Sequence, residues 1–108
     1  MGEDCSSELE WLVKWYAAQC DGDWEHAHGI EIRTLDNPGW SVKIDLMETD
    51  LSDMQLDEVK IERSEKDWLI YEIRKAQFIG YCGAPNLHEL LGAFSTVAKK
   101  RHTKSKGV

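Results

Sequence analysis

The order of hydrophobic periodicities predicts an α+β fold: a single antiparallel meander sheet of four to five strands, with an N-terminal and a C-terminal helix on one face. Three observations carry this. Helical apolar stripes stand at both ends of the chain, alternating segments separated by turn residues fill the middle, and 108 residues allow one core and not two. No linker or repeat interrupts the chain before Lys99, so residues 1–98 read as one domain and residues 99–108 as a basic, frayed tail.

Ser7 with Glu10 has the form of a capping box, which starts a helix near Glu8. Leu9, Leu12, Trp15, Tyr16 and Cys20 follow at helical spacing as one apolar stripe. Trp11, Val13 and Ala18 widen it, so this helix is expected to pack broadly. Asp21-Gly22-Asp23 ends it, with Gly22 suited to a left-handed cap. Ile30, Ile32 and Thr34 then alternate with Glu31, Arg33 and Leu35 as a half-buried strand. Asp36-Asn37-Pro38-Gly39 is turn chemistry, and Trp40, Val42, Ile44 and Leu46 form the second strand of an antiparallel hairpin.

Residues 48–56 read as a loop with a short helical turn. Val59 and Ile61 mark a third strand, Ser64-Glu65-Lys66-Asp67 a second hairpin connection, and Leu69, Tyr71 and Ile73 a fourth strand. Trp68 and Ile70 make that strand apolar on both faces, which suits a central position or an outer face partly covered. Past Lys75-Ala76-Gln77 the alternation slips, as a bulge or a break into a fifth short strand would require. Asn86 with Glu89 repeats the capping pattern. Leu87, Leu90, Leu91, Phe94, Val97 and Ala98 then define a helix reaching about Lys100.

The net charge of −7 conceals an asymmetry. Five bases lie between Lys99 and Lys106, so residues 1–98 hold twenty acids against eight bases, a net −12. Such a body repels phosphate backbones and steers basic partners. No apolar run of about 18 residues exists to span a membrane. Acids stand where a signal peptide would carry Lys or Arg, so a cytoplasmic location is expected. Cys5, Cys20 and Cys82 offer neither a paired framework nor a C-x-x-C, and read as reduced thiols.

One stretch resists both periodicities: Cys20-Asp21-Gly22-Asp23-Trp24-Glu25-His26-Ala27-His28-Gly29. It is rich in metal-competent side chains but lacks H-E-x-x-H, C-x-x-C or calcium-loop spacing. Cys82 precedes a helix, yet a C-x5-R loop would find His88 where its arginine belongs, and Pro85 offers no N–H. Glu25 and His26 are adjacent and would point apart in an extended segment. Nucleophile elbows and phosphate loops are absent from the sequence. Five tryptophans exceed what so small a core needs, and tryptophan is the residue most enriched at binding hot spots.

The segments Leu9-Glu10-Trp11-Leu12, Trp15-Tyr16, Gln19 through His26, Gly29-Ile30 and Thr34 through Trp40 resemble the immunity protein 53 family. Glu62-Arg63, Asp67-Trp68, Phe78-Ile79-Gly80, Gly83, Pro85, Asn86 and Leu87 agree with it. The resemblance implies a bacterial immunity protein that binds the toxin of a polymorphic toxin system, and it brings no catalytic residues. Residues and resemblance together predict a cytoplasmic, non-enzymatic, cofactor-free protein that neutralises a cognate, basic toxin domain stoichiometrically, without nucleic-acid or membrane binding. Contact is expected at Trp24 and Trp40 as anchors, with Asp21, Asp23, Glu25 and His26 as the rim. The alternative is a small metal-binding or hydrolytic enzyme using residues 20–28. Trp24 also reads as a brace between helix and hairpin.

Overall fold

Helix α1 spans Glu3–Gln19, a single turn of helix α2 spans Trp24–Ala27, and the long helix α3 spans Leu87–Gly107. Between them run β1 (Ile30–Leu35), β2 (Gly39–Asp45), β3 (Leu56–Glu62), β4 (Trp68–Arg74) and β5 (Gln77–Cys82), followed by a 3-10 turn at Ala84–Asn86. The computed structural model describes the backbone of residues 3–107 and the side chains of residues 8–100. The side chains of Cys5 and Ser7, and with them the capping role expected of Ser7, fall outside the described residues. Helix α1 begins at Glu3, earlier than the expected start near Glu8. Helix α3 continues to Gly107, past the expected end at Lys100.

All strand pairs are antiparallel in one five-stranded sheet, as expected, but the spatial order is β1-β2-β5-β4-β3. The strands therefore do not follow one another in chain order. Residues 46–55 carry the chain past the β4–β5 turn to the far edge, so β5 enters between β2 and β4. That crossing is fastened by the Leu46 N–H, which donates to the Ala76 carbonyl at 2.8 Å, and by Leu46 and Leu51, both buried. The β4–β5 turn explains the slipped alternation: Lys75 and Ala76 both adopt positive φ, at 54° and 59°. A two-residue turn of that hand matches strand twist and is normally built from Asn-Gly.

Side chains alternate across each strand, so the registers decide which residues face the helices. Val42, Ile44, Phe78, Cys82, Leu69 and Ile73 share one face and are buried. Leu90, Leu91, Phe94 and Ala98 of α3 close over them, and α1 packs along α3 through Leu12 and Trp15. The helical layer does not reach β1, where four central residues stay exposed; the half-buried expectation for this strand is corrected accordingly. Edge strands β1 and β3 carry Glu31, Arg33, Asp57, Glu58, Lys60 and Glu62, charges that discourage pairing with another chain.

The expected single broad stripe on α1 is split. Leu12 and Trp15 are buried, whereas Leu9, Val13 and Tyr16 are exposed. The helix is apolar on more of its circumference than the core uses.

Gly39 begins β2 where a Cβ would fall inside contact distance of the Cys82 carbonyl oxygen, while a Cβ on Gly29 would meet nothing within 4 Å. Backbone cannot swing aside as a side chain can. Gly39→Ala is expected to cost about 1–3 kcal/mol, and Gly29→Ala to stay within about 0.5 kcal/mol of the parent. Urea unfolding midpoints of the two variants make the comparison.

Candidate functional site

The segment between α1 and β1 is built by two carboxylates that serve the backbone. Asp21 Oδ1 accepts the N–H groups of Asp23 and Trp24, each at 3.0 Å, and so caps the start of α2. Glu25 reaches back and accepts the N–H of Asp21 at 3.0 Å and that of Gly22 at 3.0 and 3.2 Å. The pair encloses Gly22, whose φ of +98° is a left-handed conformation that suits glycine. Amide donation, from Trp24 first, holds the Asp21 carboxyl below the usual carboxylate range.

Within this cap sits Trp24, only 3% exposed. Its indole N–H donates to the Met47 carbonyl at 2.9 Å. Its ring meets Trp15 edge-on at 6.2 Å, Tyr16 at 6.0 Å and His28 at 5.8 Å. Trp24 thus ties the end of α1 to the crossing after β2 and seals one end of the core. The structure seats it as the brace; as a surface anchor it has almost nothing left to present. Asp23 and His26 lie exposed around it, and Glu25 is half-buried.

The ligand-competent side chains of residues 20–28 do not converge. Asp21 and Glu25 turn to backbone amides, the Cys20 thiol donates to the Tyr16 carbonyl at 3.3 Å, and His28 packs on Trp24. Among the described residues no group of three or more His, Cys, Asp or Glu is placed to hold a metal ion. Cys82 is fully buried, and burial pushes its thiol up to about 11, the opposite of nucleophile activation.

Trp40 does not join the other expected contact residues. It lies at the far end of the β1–β2 hairpin, about 20 Å along strands rising about 3.3 Å per residue. There it is half-buried against the core, with its indole N–H donating to the Ala84 carbonyl at 3.0 Å. This end has its own polar network, which sequence reasoning missed. The Arg63 guanidinium donates to Asp67 Oδ1 at 2.9 Å and to Glu89 Oε1 at 2.6 Å. The buried Asn86 amide donates to the same two oxygens at 2.9 and 3.0 Å, and its Oδ1 accepts the Trp68 N–H at 3.2 Å. The Asn86–Glu89 capping pattern and the Arg63, Asp67 and Asn86 of the family resemblance were its traces in the sequence, without sign that they meet. Beside it the turn at Asn37-Pro38, the hairpin at Glu65-Lys66 and the loop at Gly83–Pro85 enclose a cleft of about 640 Å³ walled by Trp68.

The chain is thus a two-layer α+β domain with an exposed acidic rim set around a buried tryptophan brace. The profile of Immunity protein 53 matches residues 9–99, and the chain belongs to that family. Membership supports an immunity function and implies a toxin protein as partner. Searches of curated proteins and of solved structures gave no significant match. No helix among the described residues is long and apolar enough to cross a membrane.

Trp24→Ala removes the brace and is expected to lower stability by about 3–5 kcal/mol, read as a fall in Tm. At the other end, Arg63 is the first cause that holds both Asp67 and Glu89 below their ordinary values. In the unfolded chain these carboxyls bind protons at higher pH. Their stabilisation is therefore complete above about pH 4–5 and is lost as pH falls through the depressed folded values. Arg63→Ala is expected to flatten that acid limb of a stability-versus-pH curve, while leaving the Asp21 contribution in place.

Proposed function

We propose that this protein binds a cognate bacterial toxin one-to-one in the cytoplasm of the producing cell and neutralises it by covering its working surface. The observation that carries the reading is the family match over residues 9–99. The charge supports it: a body of net −12 over residues 1–98 attracts a basic partner and accelerates encounter. Inhibition by occlusion requires no chemistry from the inhibitor, which suits a segment whose carboxylates are engaged in capping.

The proposed recognition edge is the junction of α1 and β1. Asp21, Asp23, Glu25 and His26 form its rim, and Trp24 supports it from beneath. Asp21 and Glu25 hold the loop shape; Asp23, whose side chain makes no cap hydrogen bond, is exposed and available to a partner. Trp40 stands at the other pole and is left out of this edge.

Calorimetry with an inactivated form of the toxin encoded beside this gene is expected to give a stoichiometry of one. Asp23→Lys should keep the parent Tm and weaken binding by about tenfold, mostly through slower association that fades at high salt. Unchanged affinity in a folded Asp23→Lys protein would remove this rim from the interface.

A further inference from the structure

Helix α1 has two apolar faces, and the fold uses one. Leu9, Val13 and Tyr16 stand at i, i+4 and i+7, which places them together on a helix surface. They are 53%, 57% and 38% exposed, opposite in role to Leu12 and Trp15, which fill the core. Tyr16 rests against the edge of Trp24, and the indole of Trp24 is bonded to the carbonyl of Met47, itself 48% exposed. Of the six large hydrophobic residues exposed among the described residues, three form this helical stripe and a fourth, Met47, is linked to it through Trp24. Scattered exposed apolar residues are ordinary, but a run of them signals contact.

We infer that the outward face of α1, from Leu9 through Val13 and Tyr16 to Met47, is the apolar centre of the surface the toxin covers. This rests on the reading of the chain as a toxin-occluding immunity protein and deepens it. An apolar, aromatic-bearing centre with a charged rim is the anatomy of protein interfaces. Here the rim is Glu10, Asp21, Asp23 and Glu25. The anchor that the buried Trp24 does not provide is supplied by Tyr16 and its aliphatic neighbours.

The rim also decides the occupant. A second copy docking by two-fold symmetry would set these acids against their own equivalents, with net charge −7 on each chain. A toxin domain with an apolar groove bordered by Lys and Arg meets both requirements at once. The occupant is therefore a basic protein surface that receives α1 along its exposed stripe.

The test uses the full chain and the inactivated toxin domain encoded beside its gene. Val13→Asp and the double variant Leu9→Ser/Val13→Asp alter only exposed positions and should keep the parent circular dichroism and Tm. Affinity is expected to fall about tenfold for the single and about a hundredfold for the double variant, with loss of protection in cells expressing the active toxin. Tyr81→Ser, on the sheet face away from the helices, should bind as the parent does. If the folded double variant binds like the parent, the inference is wrong while the immunity reading stands on the parent's binding. If the parent itself neither binds nor protects, the immunity reading fails and this inference with it. A parent dimer that Val13→Asp dissociates would overturn the inference by assigning the stripe to a second copy.

Discussion

Phe94 is the contact through which the layers of this domain become one body. Its ring stands 5.1 Å from Phe78 on the central strand, 5.3 Å from Trp15 and 5.7 Å from Trp11 on α1. Helix α1 has few close approaches to the sheet itself, so its position is inherited from α3 through this ring and from Trp24 at its end. Aromatic edges of this kind add to the area they bury, and the line from Phe78 through Phe94 and Trp15 to Trp24 links the central strand to the loop after α1. The acidic rim is as steady as that line. Loss of ring contact at any link would loosen the loop that carries Asp21 and Glu25, although neither touches the sheet.

The two ends of the domain use different chemistry for the same purpose. At one end a buried indole ties the end of α1 to the β2–β3 crossing, and a reciprocal pair of carboxylate caps shapes the loop that carries it. At the other a guanidinium shared by two carboxylates, with Asn86 between them, clamps the β3–β4 hairpin to the start of α3. Several residues that make the sequence resemble its family are fasteners of this sort: Asp21, Gly22, Trp24, Glu25, Gly39, Trp40, Arg63, Asp67 and Asn86. The inferred contact stripe shares Leu9 and Tyr16 with the resemblance and adds Val13 at its middle.

Much of this was legible in advance. Alternation located the hairpins and the inward faces, and the stripe from Leu87 to Ala98 located the last helix. Strand order was not legible, because alternation says which face a residue takes and nothing about which strand lies beside it. The Lys75-Ala76 reversal was hidden because its left-handed turn is made without Gly or Asn. Trp24 was left between two readings for a related reason: among acids and glycines it suits a surface hot spot or a brace, and its burial is decided by Trp15 and by Met47, 23 residues away. The periodicity of α1 was correct about the helix and silent about which of its apolar residues the core would take.

The place of β5 has a consequence for how the chain comes into being. The two outer hairpins, β1–β2 and β3–β4, close over short loops, yet neither touches the other until β5 is inserted between them. The strand that completes the sheet is the last one synthesised, and the helix that covers it is later still. A nascent chain on the ribosome therefore carries open edges on β2 and β4 and an uncovered apolar face until β5 and α3 have emerged. Long-range pairing of that sort folds slowly and leaves the chain open to mispairing in the interval. The charges along β1 and β3 guard the edges that remain in the finished protein; those of β2 and β4 are guarded only by the arrival of β5.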